Sequence, residues 1–124
     1  MNDVIREWAD KAEADFLTAR RELEVTYRPN YDAVCFHAQQ CVEKLMKAVL
    51  ISKNQLPPRT HDLVRLNGLL EAAVPGWSWP LPDLRLLDRA AVDFRYPGES
   101  ADLDEAQQAL AVAAVLRESL SREL

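Results

Sequence analysis

The residues best suited to bind a ligand form a polar strip within an otherwise apolar stretch. Between positions 31 and 52, His37, Gln40, Lys44 and Lys47 follow one another at spacings of three, four and three residues. On an α-helix, such spacings place all four side chains in one sector. An imidazole, an amide and two ammonium groups can hydrogen-bond to a phosphate or a nucleobase. The strip is therefore a candidate nucleotide-binding site.

The same strip also has a purely structural interpretation. In this interpretation its first three members satisfy polar partners on adjacent helices, and Lys47 is solvated. Glu43, which stands just beside the strip, then pairs with Arg95, while Tyr96 caps a buried polar network. Both interpretations stay open, and one does not exclude the other.

Two further positions lie outside the strip. His61 follows Thr60 after a double proline, and a helix that starts there would offer free backbone N–H groups to an anion. Capping of that helix is the alternative explanation. Arg95 and Tyr96 stand before a Pro-Gly pair and place a cation and an aromatic ring at one end of a helical bundle. They are a candidate ligand site or, alternatively, an Arg–carboxylate anchor for the turn.

The sequence lacks the usual patterns of nucleophilic, metal-dependent and phosphate-loop chemistry. Cys35 and Cys41 are too far apart on one helix for a disulfide, and they lie away from the sector of His37. We predict that both are buried as small hydrophobic residues. The two histidines have no carboxylate pair at zinc-ligand spacing, and no glycine-rich phosphate loop is present. We expect no catalytic residue, no metal and no cofactor.

Length and composition favour one all-α domain over residues 1–124. The chain has 48% hydrophobic residues and only three glycines among 124 residues, which suits helices better than many short strands. A net charge of −5 excludes general attraction to nucleic acid, although a local basic patch remains compatible with it. We find neither the apolar run of a signal peptide nor a membrane-spanning stretch, so we expect a cytoplasmic protein without membrane contact.

Helical periodicity and capping residues divide the chain into five segments. We predict helices over residues 3–25, 31–52, 62–73, 82–94 and 102–124, with Asn2 or Asp3 capping the first and Asn30 the second. The second is apolar around most of its circumference, so we expect it to be buried between its neighbours. The predicted fold is an antiparallel up-and-down bundle of four long helices and a short third helix.

Several blocks together resemble the HEPN domain family, a nucleotide-binding domain of higher eukaryotes and prokaryotes. The blocks are Tyr31-Asp32, Cys35-Phe36-His37-Ala38-Gln39-Gln40-Cys41-Val42-Glu43-Lys44, Lys47-Ala48, Thr60-His61-Asp62-Leu63 and Arg95-Tyr96-Pro97. In the first helix, Trp8, Ala12, Asp15 and Ala19 fit as well, and so does the alanine-rich last helix. The resemblance implies a helical bundle that is commonly dimeric and often encoded beside, or fused to, a small nucleotidyltransferase domain.

Many members of that family are metal-independent ribonucleases that carry an Arg, a gap of four to six residues, and a His. This chain departs from that pattern, since Arg59 stands two residues before His61, Arg28 nine before His37, and no His follows Arg95. We therefore predict a non-catalytic, dimeric, HEPN-like protein that binds a nucleotide or RNA and a nucleotidyltransferase-type partner, in a toxin–antitoxin or defence module. One alternative is a ribonuclease with a diverged site around His61, Arg59 and Arg95. Another is a purely structural assembly module.

Overall fold

The computed structural model describes residues 2–124, which form five α-helices. These are α1 (Asp3–Leu23), α2 (Tyr31–Ser52), α3 (Leu63–Ala73), α4 (Leu81–Asp93) and α5 (Leu103–Ser121). No strand occurs in this part of the chain, and the all-α prediction is confirmed. The bounds of α2 are those predicted, and the ends of the other helices lie within three residues of the predictions.

Capping side chains set where the helices begin. Asn2 accepts a hydrogen bond from the backbone N–H of Ile5, and Asn30 accepts one from Ala33. The predicted cap Asn30 is confirmed, and of the two candidates for the first helix Asn2 is the cap. Asp62 and Asp102, which were predicted as first helical residues, are N-caps instead. Their carboxylates accept backbone N–H groups of the first turn, so each residue stays just outside its helix.

The central position of α2 is confirmed, because α2 packs against each of the other four helices. More than half of its side chains are buried, as expected for a helix that is apolar on more than one side. In residues 2–124, no helix is both long enough and apolar enough to cross a membrane.

The long helices alternate in direction along the chain. Lys47 near the end of α2 lies over Trp8 near the start of α1, whereas Lys44 reaches Asp15 further along α1, so α1 and α2 are antiparallel. Other contacts orient the remaining helices: Gln39 with Asp88 and Phe36 with Arg95 for α2 and α4, and Asp32 with Ala101 for α2 and α5. The predicted up-and-down bundle is confirmed.

Both cysteines lie in the core. Cys35 and Cys41 are buried and unbonded to each other. Burial raises the pKa of the Cys35 thiol to about 11 and that of Cys41 to about 12, because the interior disfavours the thiolate. Two protonated thiols act as small hydrophobic residues, as predicted, and are unsuited to nucleophilic attack.

Candidate functional site

The polar strip of α2 does not form one surface. His37 and Lys44 reach Asp15 on α1, whereas the other two members bond to Glu43 on α2 itself. One helical sector therefore supplies two separate polar clusters, and the partners of α2 decide which residue joins which cluster.

The first cluster, which we call the α1–α2 trio, consists of Asp15, His37 and Lys44. His37 Nδ1 lies 2.7 Å from one carboxylate oxygen of Asp15, and Lys44 Nζ lies 2.5 Å from the other. The His37 ring meets Phe36 edge to face, with 5.3 Å between ring centroids. Only 30% of the His37 side chain is exposed. This trio ties α1 to α2, as the structural interpretation expects of His37 and Lys44.

The second cluster, the cleft trio, consists of Glu43, His61 and Lys47. Glu43 Oε1 lies 2.9 Å from His61 Nδ1, and Glu43 Oε2 accepts a hydrogen bond from Lys47 Nζ at 3.1 Å. The expected pairing of Glu43 with Arg95 is wrong: the charged partners of Glu43 in residues 2–124 are Lys47 and His61. Solvation of Lys47 is also wrong: its side chain is buried, and its ammonium lies 5.8 Å from the Trp8 ring centroid.

A buried amide connects the cleft trio to the neighbouring helices. Gln39, which sequence reasoning did not select, donates hydrogen bonds to the backbone carbonyl of His61 (3.0 Å) and to Asp88 Oδ1 (3.2 Å). It accepts one from Gln40 Nε2 at 2.9 Å. Asp88 also accepts the backbone N–H of Leu63, the first residue of α3, at 2.8 Å. Gln39 and Asp88 together hold α2, α3 and α4 around one point.

Asp88 titrates in an unusual range for a carboxyl group. Burial raises its pKa from the ordinary 3.8 to about 6, the hydrogen bonds from Leu63 and Gln39 oppose that shift, and the nearby carboxylate of Asp62 adds to it. The charged form of Asp88 is disfavoured because water is partly excluded and another negative charge is close. Asp88 therefore gains a proton near pH 6, well above an ordinary aspartate.

The anion seat expected at the start of the third helix is wrong. Asp62 Oδ1 accepts the backbone N–H groups of Val64 and Arg65, and Asp88 accepts that of Leu63. These carboxylates occupy the donors that a phosphate would need. The alternative explanation, capping, is confirmed for this segment.

An open cleft of about 510 Å³ lies above the cleft trio, between α2 and α4 and beside the start of α3. Its lining residues are Phe36, Gln39, Gln40, His61, Asp62, Asp88, Ala91, Val92 and Arg95. An aromatic face and two aliphatic side chains alternate with amide, carboxylate, imidazole and guanidinium groups. Mixed linings of this kind suit a flat, polar small molecule.

Arg95 stands at the border of this cleft. Its guanidinium carbon lies 5.9 Å from the Phe36 ring centroid, a cation–π distance. A smaller cleft of about 280 Å³ adjoins the first one, since both are lined by Phe36, Ala91 and Arg95, and His37 lines the smaller one. Tyr96 is 65% exposed and lines neither cleft, so its expected capping of a buried network is wrong.

The structure brings together some of the residues selected from the sequence. Gln40, His61 and Arg95 share the larger cleft, His37 borders the smaller one, and Lys44, Lys47 and Tyr96 line neither. Sequence reasoning missed Phe36, Gln39 and Asp88 as lining residues. Gln39 carried a usable signal, since an amide on a largely apolar helix needs buried partners. Asp88 carried none, because its role depends on where α3 and α4 meet.

The cleft also contains side chains of the types used in general acid–base catalysis. The buried Glu43 carboxylate orients the His61 ring, 84% of whose side chain is exposed, and Arg95 lines the same cleft, while Arg59 does not. An oriented imidazole in a cleft that a cation also lines has components used in general acid–base catalysis. In residues 2–124 no three His, Cys, Asp or Glu side chains are grouped to hold a metal ion.

This architecture is shared with known proteins. The model of the HEPN domain matches residues 5–124, and a search of curated proteins found no match. The crystal structure of TT1696 from Thermus thermophilus superposes with a TM-score of 0.81 at 22% identity, covering 99% of this chain and 100% of that one. ST0689, an archaeal HEPN homologue, superposes with a TM-score of 0.68 at 19% identity, covering 95% of each chain. At such identities the two structures show a shared fold.

Proposed function

Because the chain belongs to the HEPN domain family, we propose that it is a non-catalytic binding protein that holds a nucleotide in the cleft between α2 and α4. The observation that carries this proposal is the placement of Arg95 over Phe36 at the border of the cleft. Arginine is well suited to phosphate because its planar guanidinium forms paired hydrogen bonds. A phenyl ring offers a face on which a base can stack.

The proposed site is smaller than the strip from which the sequence hypothesis began. Gln40, His61 and Arg95 stay in it, and His37 stays at its border. Lys44 and Lys47 leave it, because carboxylates on α1 and α2 already neutralise their charges. Without these lysines, Arg95 is the principal attraction for a phosphate.

Calorimetric titration of the purified chain with ATP, GTP and short RNA tests the proposal. Changing Arg95→Ala should weaken binding by about tenfold or more, since a hydrogen bond to a charged group contributes roughly 1.5–3 kcal/mol. Arg85→Ala is the matched control, because Arg85 is an exposed arginine of α4 that does not line the cleft. If no nucleotide or RNA binds at about millimolar concentration, the proposal is wrong.

A ribonuclease with a diverged site is the second candidate, favoured by His61 held on Glu43 in the cleft that Arg95 lines. It requires RNA cleavage that is lost in His61→Ala and retained in Arg85→Ala, the exposed arginine of α4 that does not line the cleft. Absence of cleavage by the wild-type chain, together with nucleotide binding, supports the binding protein. Cleavage that depends on His61 overturns its non-catalytic character.

We further propose that the chain forms a homodimer and associates with a nucleotidyltransferase-type protein. Apolar side chains left exposed on the outer helices, Val4 of α1 and Val115 of α5, are available for such contacts. Sedimentation of the chain alone, and then with the product of any neighbouring nucleotidyltransferase gene, measures both associations. In a purely structural module the chain would self-associate and bind no nucleotide.

A further inference from the structure

The amide groups beside the cleft direct their donors into the protein. Gln39 Nε2 donates to the His61 carbonyl and to Asp88 Oδ1. Gln40 Nε2 donates to Gln39 Oε1 at 2.9 Å and lies 3.4 Å from Glu43 Oε1. An amide nitrogen has two hydrogens, so neither glutamine keeps a strong donor for a ligand.

The other donors near this wall are occupied as well. Asp88 and Asp62 take the backbone N–H groups at the start of α3. His61 Nδ1 lies 2.9 Å from Glu43 Oε1, so this ring nitrogen is not free to bond to a ligand. A ligand that reaches the wall formed by these side chains therefore meets few free donors.

Acceptors remain in the same place. Each oxygen of Asp88 accepts one protein hydrogen bond, and a carboxylate has about four lone-pair sites in all. Gln40 Oε1 receives no hydrogen bond from residues 2–124, and Asp62 Oδ2 receives none while Asp88 is ionised. This acceptor wall, formed by Asp88, Asp62 and Gln40, suits a ligand that brings its own donors.

Near Arg95 the cleft offers donors instead of acceptors, because the guanidinium is positively charged and favours an anionic group. Asp88 lies within α4, whereas Arg95 lies two residues beyond the last residue of that helix, Asp93. The Phe36 ring lies beside the guanidinium. A ligand that satisfies both ends of the cleft is flat, with hydrogen-bond donors at one end and negative charge at the other.

We propose that the cleft prefers nucleotides whose base carries an exocyclic amino group, such as adenine or cytosine, over bases with a carbonyl group at that position, such as hypoxanthine or uracil. This inference rests on the proposed function, because it assigns the base end of a nucleotide to the acceptor wall. An amino group donates to Asp88. A carbonyl group in its place removes that donor and sets two acceptors against each other, which weakens binding.

Two matched ligand pairs test the preference on the wild-type chain. AMP should bind at least about tenfold more tightly than IMP, and CMP than UMP, by calorimetry, given the 1.5–3 kcal/mol of a hydrogen bond to a charged group. If all four bind alike and Arg95→Ala weakens all four, the proposed function stands and this inference is overturned. If none of the four binds, both are overturned.

A substitution at the wall tests which residue discriminates. Asp88→Asn should bring the ratio of AMP to IMP affinity close to one, because an amide can both donate and accept. Asp93→Asn, a change at an exposed aspartate of α4 outside the cleft, should leave the ratio unchanged. An unchanged ratio in a folded Asp88→Asn chain, with folding checked by circular dichroism, overturns the assignment.

The pH dependence of the ratio of AMP to IMP affinity is a second test, and it uses only the wild-type chain. The charged groups around Asp88 are Glu43 of α2, His61 and Asp62 before α3, and Arg95 after α4. Protonated Asp88 can donate to the IMP carbonyl and accepts the AMP amine less well, so the affinity ratio should fall as pH drops through about 6. Ionisation of the phosphate is common to both ligands and cancels. A ratio that stays level overturns the inference.

Discussion

The α1–α2 trio and the cleft trio use the same three side-chain types in different surroundings. In each, a carboxylate lies between a histidine Nδ1 and a lysine Nζ. In the first, the imidazole packs against Phe36 and all three groups are partly shielded. In the second, the carboxylate and the ammonium are nearly inaccessible, whereas the imidazole is 84% exposed in the cleft.

The difference comes from where each histidine stands in the chain. His37 belongs to α2 itself, so its ring is confined by the helix packing that buries its neighbours. His61 belongs to the segment that leads into α3, so its ring reaches Glu43 from outside and keeps its other edge in solvent. The same chemical group therefore ties two helices together in one cluster and is left exposed in the cleft in the other.

The largest effect is expected for Glu43→Ala, which leaves the buried Lys47 ammonium without its counterion. The free energy of unfolding should fall by about 3–5 kcal/mol, the usual cost of breaking a buried ion pair, as measured by urea denaturation. The double change Glu43→Gln with Lys47→Met should recover much of that loss, because no buried charge is left unpaired. A cost below about 1 kcal/mol for Glu43→Ala would contradict the burial of this pair.

A smaller effect is expected for Asp15→Ala in the α1–α2 trio. Since His37 and Lys44 can turn to water, the free energy of unfolding should fall by about 1–2 kcal/mol in the same measurement. Asp10→Ala, at an exposed carboxylate of α1, is the control and should change stability by less than about 0.5 kcal/mol. A loss as large as that of Glu43→Ala would erase the proposed difference between the clusters.

The stability of the protein should also depend on pH through Asp88, which lines the cleft. Its folded pKa of about 6 lies above the ordinary 3.8, so the stability that protonation contributes is fully present below pH 3.8 and is lost as pH rises through 6. Relative to Asp88→Asn, the wild-type chain should lose stability over that window and stay level above it. Thermal denaturation of both chains across the window measures the difference, and parallel curves would contradict the raised pKa.

The smallest effect on stability is expected for His61→Ala. With most of its side chain in solvent, its loss should change the free energy of unfolding by at most about 0.5 kcal/mol. His37→Ala should cost more, about 1 kcal/mol, because its ring is largely shielded and bonded to Asp15. Urea denaturation of the two variants side by side measures which loses more stability. A larger loss for His61→Ala would show that solvent exposure does not explain the difference between the two histidines.

Sequence reasoning succeeded where the deciding interactions are local. It placed α2 at Tyr31–Ser52, assigned its cap Asn30 and named Asn2 as one of two candidate caps of α1, because periodicity and capping depend on residues within a few positions of one another. It failed for Lys47 and for the pairing of Glu43 with Arg95. In those cases the helical wheel placed the α2 side chain in the correct sector, but the packing of the helices determined which partner it met.

The amino-acid sequence by itself determined the five helices, the buried α2 and the supply of polar residues on that helix. Tertiary structure alone decided that Asp15 takes His37 and Lys44, that Glu43 takes Lys47 and His61, and that Gln39 meets Asp88 beneath a cleft bordered by Arg95. The physical reason is one of range. A helix forms from contacts three or four residues apart, whereas Asp88 stands 49 residues from Gln39, and only the packing of α2, α3 and α4 brings them together.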